Sequence, residues 1–128
     1  MIIDTSALVA ILFREPERDR FIRLIASTGR KMSAAGVIEL SMILAREFGS
    51  DAGIECDHFL LAFRIYVESV TPEQARVARD AFLQYGKGRH SASLNFGDCF
   101  SYALAKATGE PLLFKGDDFS KTDLISAS

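Results

Sequence analysis

Apolar positions along the chain follow two rhythms. Short runs read as strands: residues 1–4 ("MIID"), apolar and buried, then 31–35 ("KMSAA"), the β-rich 64–70 ("RIYVESV"), 111–116 ("PLLFKG") and a last short run at 123–126 ("DLIS"). Between them, apolar residues recur at three- and four-residue intervals, the spacing of a helix with one buried face. Helices are predicted over 5–13, over 14–27 with a restart at Pro16, over 34–49, 51–63, 72–86 and 97–109. Phe21, Leu24 and Ile25 form one stripe, with Arg18, Asp19, Arg20 and Arg23 turned to solvent; Phe96, Phe100, Ala103, Leu104 and Ala107 form another. Gly49, Gly86 and Gly109 mark stops, and Thr71-Pro72 marks a start. Residues 87–96 read as a polar loop, and 117–122 as a turn or short helix. Strands separated by helices imply right-handed crossovers and a parallel sheet covered by helices on both faces.

Composition narrows this only a little. With 128 residues, 48% of them hydrophobic, the chain suits one domain spanning 1–128 and not disorder. A net charge of −2 does not advertise nucleic-acid binding, although a local basic patch suffices for it. Cys56 and Cys99 lack metal-ligand spacing and read as reduced, buried thiols. No signal peptide precedes the first strand and no apolar run is long enough to span a bilayer, so a cytoplasmic protein without membrane contact is expected.

The acids carry the chemistry. Asp4 ends the first strand, where open α/β sheets place their sites, and equally fits the N-cap of the next helix. Glu39 lies on a strongly apolar helix, flanked one turn away by Ala35, Gly36, Met42 and Ile43 with no cation to pair it. Asp98 lies off the core stripe in a helix first turn, where the dipole favours a negative charge. Asp117 and Asp118 follow a strand end and fit an ordinary polar turn. Taken together, these positions can converge at one edge of a doubly wound sheet. Carboxylates about 4 Å apart repel by ~4 kcal/mol at a typical effective dielectric, so a cluster demands a cation. An all-oxygen set with no His or Cys suits Mg²⁺ or Mn²⁺ rather than Zn²⁺. Such a centre suits hydrolysis of phosphate esters.

These blocks, "IIDTSALVAIL", "VIELSMIL" and "LNFGDCFSYALAKATGEPLLFKGDDF", resemble PIN-domain ribonucleases, in particular VapC-type toxins of bacterial toxin–antitoxin pairs. The resemblance covers essentially the whole chain. It implies a PIN-like three-layer α/β/α fold with a central parallel sheet of four or five strands. It implies Asp4, Glu39 and Asp98 as the main catalytic acids, with Asp4 and Asp98 as the metal ligands. The family's fourth acid falls at Gly116 here, so that role passes to Asp118, with Asp117 as the competitor. Thr5 or Ser6 corresponds to the auxiliary hydroxyl that positions a metal-bound water. The resemblance further implies a Mg²⁺- or Mn²⁺-dependent endoribonuclease acting on tRNA or rRNA, a small antitoxin partner and a homodimer.

Other features fit around this reading. Lys87, Arg89 and His90 lie in the glycine-containing loop before Asp98, close enough to draw an RNA backbone toward an acidic pocket. Phe13, Phe59 and Phe63 are candidates for an antitoxin groove or dimer face, or for plain core. A receiver domain would need an acidic pair after the first strand and an Asp after the middle one. Here Thr5-Ser6 and Val70-Thr71 stand there. A dinucleotide site lacks its glycine-rich turn, and neither His58 nor His90 has a nucleophile partner in the pattern. The alternative of another class is a catalytically silent RNA- or antitoxin-binding module on the same scaffold.

Overall fold

A computed structural model describes residues 1–128. Its centre is a four-stranded, fully parallel sheet in the order β3-β2-β1-β4. The strands are β1 (Ile2–Ile3), β2 (Lys31–Ser33), β3 (Tyr66–Glu68) and β4 (Leu112–Leu113). The helices are α1 (Thr5–Leu12), α2 (Arg18–Ser27), α3 (Ala34–Phe48), α4 (Ala52–Ala62), α5 (Pro72–Tyr85) and α6 (Phe96–Thr108).

β1 and β4 are solidly apolar because both of their faces are covered. Side chains alternate across a strand, so Ile3 and Leu113 point into one core with Leu8, Phe21, Ile25, Leu40 and Leu44. Ile2 and Leu112 point into the other, with Tyr85, Leu94, Tyr102 and Leu104. Helices α1 to α4 build the first core and α5 with α6 builds the second, which makes the three layers. No helix is long and apolar enough to cross a membrane. Both cysteines are free and buried.

Most predicted elements form, with boundaries moved by side-chain caps. β2 ends at Ser33 because its hydroxyl accepts from the Ala35 N–H and starts α3. The helix expected from Pro16 begins at Arg18 instead, after a turn through Pro16 and Glu17. A 3-10 turn over Gly49–Asp51 precedes α4. β3 is trimmed to three residues, as suits an edge strand with Tyr66 and Val67 outside. Residues 123–126 form no strand; a single parallel bridge joins Ser126 to Leu112. α6 starts one residue early, at Phe96, because Asn95 caps it. That start expels Phe96 from the core: it is 80% exposed, and the buried face runs through Cys99, Tyr102, Ala103 and Leu104 instead. Ala107 likewise faces solvent.

Two of the stops need glycine for different reasons. Gly109 takes a left-handed conformation at φ 67° to end α6. Gly86 has an ordinary φ of −68°, but a β-carbon there would lie 2.3 Å from the Phe82 carbonyl oxygen.

Candidate active site

The carboxyl edge of the sheet receives Asp4 directly from β1. Asp4 is 3% exposed. It is the N-cap of α1, as its position after β1 suggests: its Oδ2 accepts from the Ser6 N–H at 2.9 Å and the Ser6 hydroxyl at 2.6 Å. Its Oδ1 accepts from the Ser101 hydroxyl of α6, also at 2.6 Å. Ser6 Oγ in turn accepts from the Lys115 N–H, just beyond β4, at 3.0 Å. The Lys115 ammonium is paired with Glu15 and, at 3.3 Å, with Glu17 in the α1–α2 turn. Three separate segments therefore hold one carboxylate.

Asp98 takes part in a reciprocal cap at the start of α6. The Asn95 side chain accepts from the Asp98 N–H, and the Asp98 carboxylate accepts from the Asn95 N–H, each at 2.9 Å. Burial pushes the Asp98 pKa up to about 7 against the pull of the Asn95 hydrogen bond, and the charges of Asp4, Asp118 and Glu39 push the same way. Those couplings place all four acids in one electrostatic neighbourhood. Glu39 also rises above the ordinary range, first through burial and then through Asp4, with the Thr5 hydroxyl opposing. None of Asp4, Glu39, Asp98, Asp117 or Asp118 is in a salt bridge.

The competitors for the fourth acid part company. Asp117 lines a groove with Glu17, Arg20 and Phe21, while Asp118 is the one whose charge reaches Asp98. The two candidate hydroxyls, those of Thr5 and Ser6, are both engaged. Thr5 donates to the Gly36 carbonyl at 3.3 Å and Ser6 donates to Asp4. A hydroxyl offers two acceptor lone pairs besides its proton, so acceptor capacity is what each retains for a nearby water.

No three carboxylate, imidazole or thiolate groups converge closely enough to enclose an ion. The arrangement is an anchored Asp4 with Asp98 and Glu39 beside it, rather than a closed cage. The donor set still fits a hard divalent cation: all-oxygen, uncompensated by any basic side chain, and with two members, Glu39 and Asp98, held above their ordinary pKa by burial first and then by the neighbouring charges.

Space for Glu39 depends on a missing side chain. A β-carbon at Gly97 would lie 2.2 Å from Glu39 Oε2. Gly97→Ala favours the helix by up to about 1 kcal/mol yet pushes that carboxylate aside. The expected outcome is an unchanged or higher melting temperature with RNA cleavage reduced about tenfold. Thermal melts and initial rates check it, and full activity would show that Glu39 does not need its present position.

The remaining sequence candidates are distributed more widely. Lys87, Arg89 and His90 are exposed on a loop closed by a parallel bridge between Gly86 and Leu94. The Arg89 guanidinium lies 6.0 Å from the Phe82 ring centroid, and Lys121 reaches the Ser91 carbonyl of the same loop. His90 stands edge-on to Tyr85, and its Nδ1 accepts from the Ala92 N–H at 3.0 Å, so it holds the loop together. Phe59 and Phe63 pack against the core with ring centroids 4.8 Å apart, whereas Phe13 is 43% exposed. The sequence pattern misses Ser101, which reads as an ordinary helix residue. The available signal is its spacing three residues after Asp98, on the same helical face, inside an otherwise apolar stretch.

The PIN domain family matches residues 1–124. Ribonuclease VapC30 of Mycobacterium tuberculosis is 47% identical over 129 residues, covering 100% of this chain and 98% of that protein. A Ribonuclease VapC of Mycolicibacterium smegmatis is 48% identical over 127 residues, 98% of each. Among solved structures, the sarcin-ricin loop cleaving toxin VapC20 of M. tuberculosis superposes with a TM-score of 0.76 at 22% identity, covering 97% of this chain and 95% of that one. VapBC2 of Rickettsia felis, bound to a DNA fragment from its promoter, gives 0.74 at 14% identity and coverage of 98% and 95%. With the same fold, acids gathered at the carboxyl edge of the sheet and near-half identity along its whole length to VapC ribonucleases, this chain belongs to the PIN-domain family.

Proposed function

We propose that this protein is a divalent-metal-dependent endoribonuclease acting as the toxin of a toxin–antitoxin pair in the cytoplasm. The observation that carries the reading is the set Asp4, Glu39, Asp98 and Asp118, coupled through their charges at one sheet edge with no basic partner. A bound Mg²⁺ or Mn²⁺ would supply a more acidic water and charge stabilisation at the phosphate. Asp4 and Asp98 are the residues to hold the ion. Glu39, with a carboxyl above its usual range, is suited to accept a proton from the attacking water. Asp118, on the exposed turn, completes the acidic rim. The test is cleavage of tRNA and rRNA by purified protein with Mg²⁺, Mn²⁺ or chelator, together with growth after expression. Absence of cleavage with either ion would return the chain to the silent binding module.

The exposed loop is the proposed RNA contact. Single-stranded RNA binding loses a salt slope of about 0.7 for each phosphate contact removed. Lys87→Ala with Arg89→Ala is expected to weaken RNA binding broadly across sequences and to flatten the salt dependence by roughly 1.4 in slope. Metal affinity should not move. Filter binding at several salt concentrations reads both, and unaltered affinity at low salt would make the loop a plain surface turn.

Two apolar regions suit proteins. Ile38, Met42 and Phe96, at 65%, 68% and 80% exposure, surround a groove of about 530 Å³ beside Glu39, and this is the face we assign to a homodimer. Met42→Glu should convert a dimer to a monomer in sedimentation, and an unchanged mass would exclude that face. The antitoxin reading draws on a groove of about 350 Å³ between α2 and α4, lined by Ile22, Ile25 and Phe63 and edged by Arg30 and Arg64. A solved toxin–antitoxin complex from Klebsiella pneumoniae has the same fold, at a TM-score of 0.71 and 15% identity, covering 99% of this chain and 97% of that one.

A further inference from the structure

Ser101 is a buried hydroxyl on a helix face that is otherwise core. It is 4% exposed, between Phe100 and Tyr102 and one turn from Leu104. A helical serine commonly bonds back to the carbonyl four residues earlier. Ser101 instead donates to Asp4 Oδ1 at 2.6 Å, across 97 positions of chain. That length is typical of a hydroxyl bonded to an ionised carboxylate, the stronger class of hydrogen bond.

The consequence for Asp4 follows from counting acceptors. A carboxylate has about four lone-pair positions, two on each oxygen. Ser6 fills both on Oδ2, with its N–H and its hydroxyl. Ser101 fills one on Oδ1. The carboxylate is thereby locked from opposite sides by α1 and α6, and a single acceptor position is left. The same bond ties the strand end that carries Asp4 to the helix that carries Asp98, one turn before Ser101.

We propose that Ser101 is a positioning residue for Asp4, orienting its carboxylate so that one open acceptor on Oδ1 meets a divalent cation while Asp98 is kept alongside. The inference rests on the metal-dependent reading above and deepens it. Partners that orient a ligand in this way change metal affinity by about 10- to 100-fold when removed.

The experiment is Mn²⁺ binding to the full chain, followed by the paramagnetic resonance signal of the free ion, for wild type, Ser101→Ala, Ser101→Cys and Asp4→Asn. Ser101→Ala should weaken binding at least tenfold, and Ser101→Cys, which keeps the side-chain shape but donates weakly, should fall between. Circular dichroism identifies which variants are folded. A folded Ser101→Ala with wild-type Mn²⁺ affinity, even with a lower melting temperature, would reduce Ser101 to a packing residue and overturn the proposal. If Ser101→Ala does not fold, Ser101→Cys decides: wild-type affinity overturns the proposal and weakened affinity supports it. Failure of the metal reading looks different. Wild type and Asp4→Asn would then both leave millimolar Mn²⁺ free, and the proposal would fall with it.

Discussion

Asp4→Asn is expected to abolish RNA cleavage, by 100-fold or more, in a protein that still folds. The fold survives because the amide can take over each contact. Its oxygen accepts from the Ser6 N–H and hydroxyl, and its NH₂ meets Ser101 Oγ, which then accepts instead of donating. Asn is also as good an N-cap as Asp, so α1 keeps its start. What disappears is the formal charge at the one carboxylate anchored from both sides. A 100-fold loss corresponds to about 2.7 kcal/mol of transition-state stabilisation. The comparison to make is Asp4→Ala, which removes the cap as well and should lose about a further 1 kcal/mol of stability. Cleavage by Asp4→Asn at the wild-type rate, in Mg²⁺ or Mn²⁺, would remove Asp4 from the centre.

Asp98→Asn is expected to do the opposite to stability and the same to activity. The Asp98 carboxyl titrates near 7 in the folded protein, well above its ordinary 3.8. Between those values the folded state holds a proton that the unfolded state has released. Stability of the metal-free protein therefore falls as pH rises from about 4 to 7, and the loss is complete above 7. Asn carries no charge to bury and its oxygen can still accept from the Asn95 N–H. At pH 8 without metal the variant should melt several degrees higher than wild type, on the order of 2 kcal/mol after allowance for partial solvent contact. At pH 4 the two should nearly coincide. Divalent metal should reverse the ranking, since it stabilises only a site that retains its charge. Thermal melts at pH 4 and 8, with and without Mn²⁺, give all four values. A wild-type protein that is no less stable at pH 8 than at pH 4, once other carboxylates are matched by the Asn variant, would contradict the repulsion at this site.

The order of elements was readable because each rhythm had one physical cause. Solid runs such as Ile2-Ile3 and Leu112-Leu113 come from strands covered on both faces, and the stripe of Phe21 and Ile25 from a helix covered on one. Asp4, Glu39 and Asp98 stood out because an unpaired acid beside apolar residues is costly without a reason. What the pattern hid was set by partners far away in the chain. Phe96 looked like core by periodicity and is outside because the Asn95 cap fixes where α6 begins. Ser101 carries no charge, and its importance comes from Asp4, which no local window contains. Asp117 and Asp118 are neighbours of the same type, and only the direction of the turn after β4 separates them.

The position of β1 has a bearing on synthesis. β1 lies between β2 and β4, and its Ile2 pairs with Leu112, far along the chain. Ser6 waits for the backbone of Lys115, and Asp4 for a hydroxyl 97 residues later. A nascent chain released or stalled before α6 has emerged carries Asp4 and Glu39 but neither Asp98 nor the lock on Asp4. Contacts of such long range form late and slowly. Until α6 and the segment after β4 have docked on β1, Asp4 therefore stands without its lock and without Asp98 beside it.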